Sequence, residues 1–216
     1  MIKYLSQSNS IANVFIRELR DSGIQKDQSR FRKNLIRLGE IFAYEISKTF
    51  DYSEHRIETP LGYANAFLPD DEVVLATIMR AGLPMHQGML NYFNDAESAF
   101  VSAYRKHHKD GTFEINLEYV NCPNLDGKTL ILTDPMIATG SSVEAALKAL
   151  EESGTPKEIH IVTVIASTYG LGYIKRICPG THIWLGEEDE ELTAKSYIVP
   201  GLGDAGDLAF GGTKPD

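Results

Sequence analysis

The chain has 216 residues, 43% of them hydrophobic and 24% charged, which suits one soluble α/β domain with a full-sized core. Its net charge of −9 repels nucleic acid at long range and sets non-specific DNA or RNA binding aside, while a local basic pocket for a small anion stays open. Two cysteines without C-x-x-C spacing, Cys122 and Cys178, make neither a disulfide framework nor a zinc site; with no signal-peptide pattern and no apolar span, the expected location is the cytoplasm, away from membranes.

Along the chain, Ser8-Asn9-Ser10 is placed to cap a helix with Ile11, Phe15 and Leu19 on one face. Phe31, Leu35, Leu38, Phe42 and Ile46 recur at helical spacing and predict a second, amphipathic helix. Residues 1–50 therefore read as an N-terminal helical arm, whose apolar stripe packs either on its own core or on a second subunit. That stripe is the basis for expecting a homo-oligomer, a dimer or higher.

From about residue 55, strands and helices alternate. Residues 73–79 (Val-Val-Leu-Ala-Thr-Ile-Met) form an apolar, β-branched run suited to a strand buried on both faces. Arg80-Ala81-Gly82 breaks it, and 84–93 reads as a helix. A strand at 99–104, a polar turn at 107–111 and the alternation Phe113, Ile115, Leu117, Tyr119 predict an antiparallel ribbon, a flap over 99–122, tipped by Lys106, His107, His108 and Lys109. Then follow a strand at 129–133, a helix carrying Val143, Ala146, Leu147 and Leu150, a strand at 158–166, a helix at 169–178 and a short strand at 182–185. This alternation predicts an α/β fold with a parallel sheet and right-handed crossovers. The acidic run 187–191 reads as a solvated surface turn.

Ligands of open parallel sheets bind at the carboxyl ends of the strands. The strand at 129–133 runs into Asp134-Pro135-Met136-Ile137-Ala138-Thr139-Gly140-Ser141-Ser142 and then a helix. Gly140 permits a tight turn and close backbone approach. Thr139, Ser141 and Ser142 bring hydroxyl donors, and the helix start adds backbone N–H groups and a favourable dipole for an anion. Asp134 is suited to accept from sugar hydroxyls. The loop lacks the Gly-Lys-Ser/Thr ending of a Walker A motif and the G-x-G-x-x-G of a dinucleotide turn, and it fits a ribose phosphate best. Arg80, at the end of its strand, and Arg105, at the end of the next, suit a shared diphosphate.

The segment 186–216 contains Tyr197-Ile198-Val199-Pro200-Gly201-Leu202-Gly203-Asp204-Ala205-Gly206-Asp207. Its glycines and proline force an irregular loop that exposes main-chain donors and acceptors. A planar ring with amide edges, such as uracil, pairs with such groups.

Taken together, Leu132 to Ser142, Arg80-Ala81-Gly82-Leu83 and the 197–207 string resemble the uracil phosphoribosyltransferase family, over roughly residues 55–216. The resemblance implies a type I phosphoribosyltransferase-like sheet flanked by helices, in a single domain over 1–216. It implies transfer of the phosphoribosyl group of 5-phosphoribosyl 1-diphosphate to uracil N1, giving UMP and diphosphate. Asp134, Pro135, Met136, Ile137, Ala138, Thr139, Gly140, Ser141 and Ser142 are then expected to bind the ribose 5-phosphate and ribose hydroxyls. Arg80 and Arg105 are expected to hold the diphosphate, and Ile198, Gly203 and Ala205 to pair with uracil through the backbone. Asp204 is expected to face the donor and its Mg2+, with the ion held through the diphosphate and water near Asp204 and not by a direct side-chain ligand. The chain departs from the family pattern at Pro84, at Ser167-Thr168-Tyr169, and at Leu208-Ala209 and Gly212, none of which removes a group the chemistry needs.

Two other readings of the same fold remain. A pyrimidine-responsive RNA-binding regulator needs a basic face, and usually an Asp-Asp pair where this chain has Thr133-Asp134. A phosphoribosyltransferase for a purine usually places an aromatic residue and a lysine around the base, and Gly203-Asp204-Ala205 has neither.

Overall fold

The structure is a computed structural model that describes residues 1–107 and 113–212, with 103–107 and 113–117 described in their backbone alone. In chain order the elements are β1 (Ile2–Tyr4), α1 (Ala12–Arg20), α2 (Gln28–Ser47), β2 (Tyr52–Thr59), β3 (Gly62–Pro69), β4 (Val73–Met79), α3 (Leu83–Leu90), β5 (Glu97–His107) and β6 (Phe113–Asn121). They continue with β7 (Thr129–Thr133), β8 (Met136–Ile137), α4 (Ser141–Leu150), β9 (Glu158–Ser167), α5 (Thr168–Ile177), β10 (His182–Asp189), β11 (Glu191–Leu192), β12 (Ile198–Val199) and α6 (Ala205–Phe210).

The main sheet runs in the order β1-β10-β9-β7-β4-β5-β6. All neighbours are parallel except β5 and β6, which form the antiparallel ribbon expected from the alternation at 113–119. The turn expected after His107, with His108 and Lys109, lies outside the described residues. Burial on both faces explains the apolar run of β4. Leu75 faces a core shared with α1, α2, α3 and α6, whereas Val74, Ala76 and Ile78 face a second core under α4 and α5. Ile131 of β7 likewise points to the first core and Leu130 and Leu132 to the second.

The stripe of α2 is fully buried from Phe31 to Ile46. Each such side chain contributes about 2 kcal/mol through burial, and its contacts are with this chain's own sheet and helices. The arm is thus a fold-back onto the core, and its stripe no longer argues for a second subunit. It is also not wholly helical, because β1 pairs with β10 at the sheet edge. The buried face of α1 is Ala12, Ile16 and Leu19, one residue round from the Ile11, Phe15, Leu19 face expected; Ile11 is 61% exposed. The helix is capped by Ile11 without a side-chain capping bond, and Ser10, one residue earlier, accepts from the Ala12 N–H at 3.2 Å.

Two features differ from the sequence reading, one local and one dependent on a partner far along the chain. β2 and β3 form a two-stranded antiparallel hairpin apart from the main sheet, with almost every residue exposed. The acidic run 187–191 is not a solvated turn: Glu187 to Asp189 complete β10, and the Asp189 side chain is buried in an ion pair with Arg20. Among the described residues, no helix is long and apolar enough to cross a membrane.

Candidate active site

The crossover through α3 leads from β4 outward to β5, whereas the one through α4 leads from β7 the opposite way to β9. The carboxyl ends of β4 and β7 therefore flank the crevice where a doubly wound sheet binds ligands. The register pairs Thr77 with Thr133, so Arg80 and Asp134 leave neighbouring strands side by side.

The loop after β7 is tied to the sheet at several points. The Asp134 N–H donates to Val162 O at 3.0 Å, and the Pro135 carbonyl accepts from the N–H groups of Val164 and Ile165. Met136 and Ile137 form β8 against β9, so part of the segment expected to be loop is strand. Asp134 Oδ1 accepts from the Met136 N–H at 3.3 Å. Pro135, Ile137 and Ala138 are buried, which leaves them only main-chain groups to offer a ligand. Thr139 Oγ1 and Ser141 Oγ lie 3.0 Å apart at the mouth of the loop. Gly140 has φ of 85°, the left-handed region in which a Cβ is costly, and turns the chain directly into α4. The first N–H groups of α4 have no intrahelical partners, and that of Ser141 donates to Thr139 Oγ1 at 3.4 Å.

Ser167 and Gly170 support the loop from behind, and the sequence reading gave neither a role. The Ser167 hydroxyl donates to Ala138 O and accepts from the Gly170 N–H, capping α5. A Cβ on Gly170 would lie 2.5 Å from Ala138 O. The departure at 167–169 therefore retains a working helix cap. Pro84, in the first turn of α3, sits where a helix has no use for its N–H.

Gly82 marks the tightest approach in the crevice. A Cβ there would lie 2.2 Å from Thr77 Oγ1, 2.7 Å from Ile78 O and 2.8 Å from Thr133 O. Arg80, beside it, reaches the C-terminal segment: its Nη2 meets Asp207 Oδ1 at 3.2 Å and its Nη1 donates to Gly211 O at 3.2 Å. Asp204 caps α6, its Oδ1 accepting from the Asp207 N–H at 3.0 Å. A Cβ on Gly206 would touch both Asp204 Oδ1 and Arg80 Nη2, at 3.2 and 3.4 Å, which places the three residues together. Asp207 was not singled out from sequence; only its spacing of three from Asp204 on a helix start marked it. Ile198 is buried in β12, Gly203 is exposed with φ of 92°, and Ala205 is buried at the start of α6. Arg105 pairs with Ile115 in the ribbon, and its side chain lies outside the described residues.

Residues 7–212 match the family model described as uracil phosphoribosyltransferase. The chain is 52% identical to a uracil phosphoribosyltransferase of Porphyromonas gingivalis, over 96% of this chain and 97% of that one. It is 41% identical to a protein of the same name from Thermococcus gammatolerans, over 96% and 92% respectively. A solved structure from Aquifex aeolicus superposes over the whole of both chains with a TM-score of 0.88 at 30% identity.

Proposed function

The chain belongs to the uracil phosphoribosyltransferase family, and from that premise we propose how its residues share the reaction. The enzyme transfers the phosphoribosyl group of 5-phosphoribosyl 1-diphosphate to uracil, giving UMP and diphosphate. The observation that carries the residue assignment is the meeting of Arg80 with the 204–207 turn beside the loop after β7. One crevice then holds an anion cradle, a guanidinium and a loop rich in main-chain donors and acceptors.

In this reading, Thr139, Gly140, Ser141 and Ser142 take the 5-phosphate through hydroxyls and the N-terminus of α4. Asp134 accepts from the ribose hydroxyls, and Pro135 to Ala138 contribute their main chain. Arg80 and Arg105 hold the diphosphate, whose charge grows as the anomeric C–O bond breaks and positive charge develops on the ribose. The main-chain groups of Ile198, Gly203 and Ala205 hold the uracil edge and set N1 against the anomeric carbon.

Mg2+ bound to the diphosphate supplies further neutralisation of the leaving charge. The donor set fits an ion carried by the substrate: Asp204 is an exposed carboxylate beside Arg80, and among the described residues no three His, Cys, Asp or Glu side chains converge. Asp204 would meet the hydrated ion and the donor.

We place the enzyme in the cytoplasm, where the free Cys122 and Cys178 stay reduced. We also propose a homo-oligomer, now on the β2–β3 hairpin. A lone hairpin is marginal in water, and this one exposes Leu61, Tyr63 and Phe67. Sedimentation velocity on Phe67→Glu checks this, and an unchanged mass would end it.

Incubation with 5-phosphoribosyl 1-diphosphate, magnesium and each of uracil, cytosine, hypoxanthine and adenine tests the substrate assignment. UMP from uracil alone is expected, and a purine nucleotide as the main product overturns it.

A further inference from the structure

If the base is held by main-chain groups, its recognition depends on where the backbone of 198–205 lies, to within a fraction of an ångström. Ile198 itself is paired with Leu192 in the short β11–β12 ladder, and two further ties reach the residues after it. Inside the loop, Gly201 has φ of 56° and doubles the chain back so tightly that a Cβ would lie 2.2 Å from Ile198 O. The buried Gly201 N–H donates to Asp189 Oδ2 at 2.9 Å. The other carboxylate oxygen, Oδ1, takes Arg20 Nη2 at 2.9 Å, and Arg20 Nη1 holds Glu187 at 2.9 Å. A second tie runs parallel: Gln25 Nε2 donates to Leu19 O at 2.8 Å and to Leu202 O at 3.1 Å.

The pair is well enclosed, the Asp189 side chain being 7% exposed and that of Arg20 19%. A buried ion pair is poor value for stability alone, because well-packed apolar side chains of equal volume do as well or better. It does supply direction. A single carboxylate, splayed between the end of α1 and residue 201, fixes the loop midway between Ile198 and Gly203. Nothing in the reaction requires Asp189 to touch a substrate.

We infer that Asp189 and Arg20 are positioning residues for the base: they hold the Gly201 N–H, and through it Ile198 and Gly203, at the depth from which their main-chain groups meet the ring. This deepens the base assignment and rests on it.

Steady-state kinetics on three variants tests it. Asp189→Asn keeps the shape and one acceptor oxygen but loses the charge. The KM for uracil is expected to rise about tenfold, the scale of one charge-assisted hydrogen bond, with the KM for 5-phosphoribosyl 1-diphosphate unchanged. Arg20→Lys, which keeps the charge without the fork, is expected to raise the uracil KM less than Asp189→Asn does. A merely structural role would lower the melting temperature and the active fraction, seen as a fall in kcat at unchanged uracil KM; that result overturns the inference, as does an equal rise in both KM values. Gly203→Ala separates the two levels of the argument. If it raises the uracil KM while Asp189→Asn and Arg20→Lys do not, the positioning role is wrong and the base assignment stands. If none of the three raises it, the base assignment itself fails. Arg20→Lys keeps the test decisive should Asp189→Asn fold poorly.

Discussion

The guanidinium of Arg80 and the carboxylate of Asp207 meet at 3.2 Å across 127 residues of sequence, at the crevice between β4 and β7. The contact joins the strand end assigned to the diphosphate with the segment assigned to the base. It is half exposed, with 43% and 50% of the two side chains open to solvent, so it adds little to stability. Arg80→Ala is therefore expected to leave the melting temperature almost unchanged. It should lower kcat/KM for 5-phosphoribosyl 1-diphosphate by roughly 100-fold or more, as removal of a charge-stabilising donor does. Thermal unfolding and initial rates on the same preparation check both halves.

Asp204 has two roles that substitution separates. Its carboxylate caps α6 by accepting from the Asp207 N–H, and Asn caps a helix about as well as Asp does. Asp204→Asn should keep the α6 cap and lose turnover. Asp204→Ala should lose turnover and a further ~1 kcal/mol of stability. Near-normal turnover in Asp204→Asn, measured at saturating magnesium, would remove Asp204 from the assigned role.

Gly82 has φ of −71°, a conformation alanine accepts, so any penalty for Gly82→Ala is steric. The added methyl would collide with Thr77 Oγ1 and with the carbonyls of Ile78 and Thr133. The expected loss is ~2 kcal/mol or more by urea unfolding, with a parallel fall in activity because the displaced Thr133 carbonyl precedes Asp134. A variant of normal stability would mean that the crevice yields more readily than its packing indicates.

His160 makes stability depend on pH. Burial pulls its imidazole down to about 4; a hydrogen bond with Glu158 opposes that shift and the neighbouring His182 adds to it. Its Nδ1 also accepts from Trp184 Nε1 at 3.0 Å, a bond that a proton on that nitrogen would remove. The unfolded imidazole titrates at about 6.5. The stabilisation is thus fully present above that pH, and is lost progressively as pH falls towards 4, where the folded group also protonates. Replacing the ring with an amide removes the linkage. The stability difference between the wild type and His160→Gln should shrink from about pH 7.5 to about pH 4.5. A constant difference in denaturation midpoints over that range would contradict it.

Much of this protein follows from short-range pattern. The α2 stripe, the β4 run and the left-handed turn at Gly140 are set by residues within a few positions of one another, because helix and strand periodicity and glycine's access to positive φ act locally, whereas the rest of the loop after β7 is shaped by its ties to β9 and Ser167. The family likeness, too, rests on contiguous strings such as 197–207. Tertiary structure alone decided that Asp189 is buried rather than solvated, because a carboxylate stays charged in a core only where a cation such as Arg20 meets it, and Arg20 lies 169 residues away. It likewise decided that β1 closes the sheet edge, that the helical arm folds back on its own core, and that Arg80 meets Asp207. Each depends on a free-energy gain realised only when distant segments dock, and no local pattern in the sequence encodes such a gain.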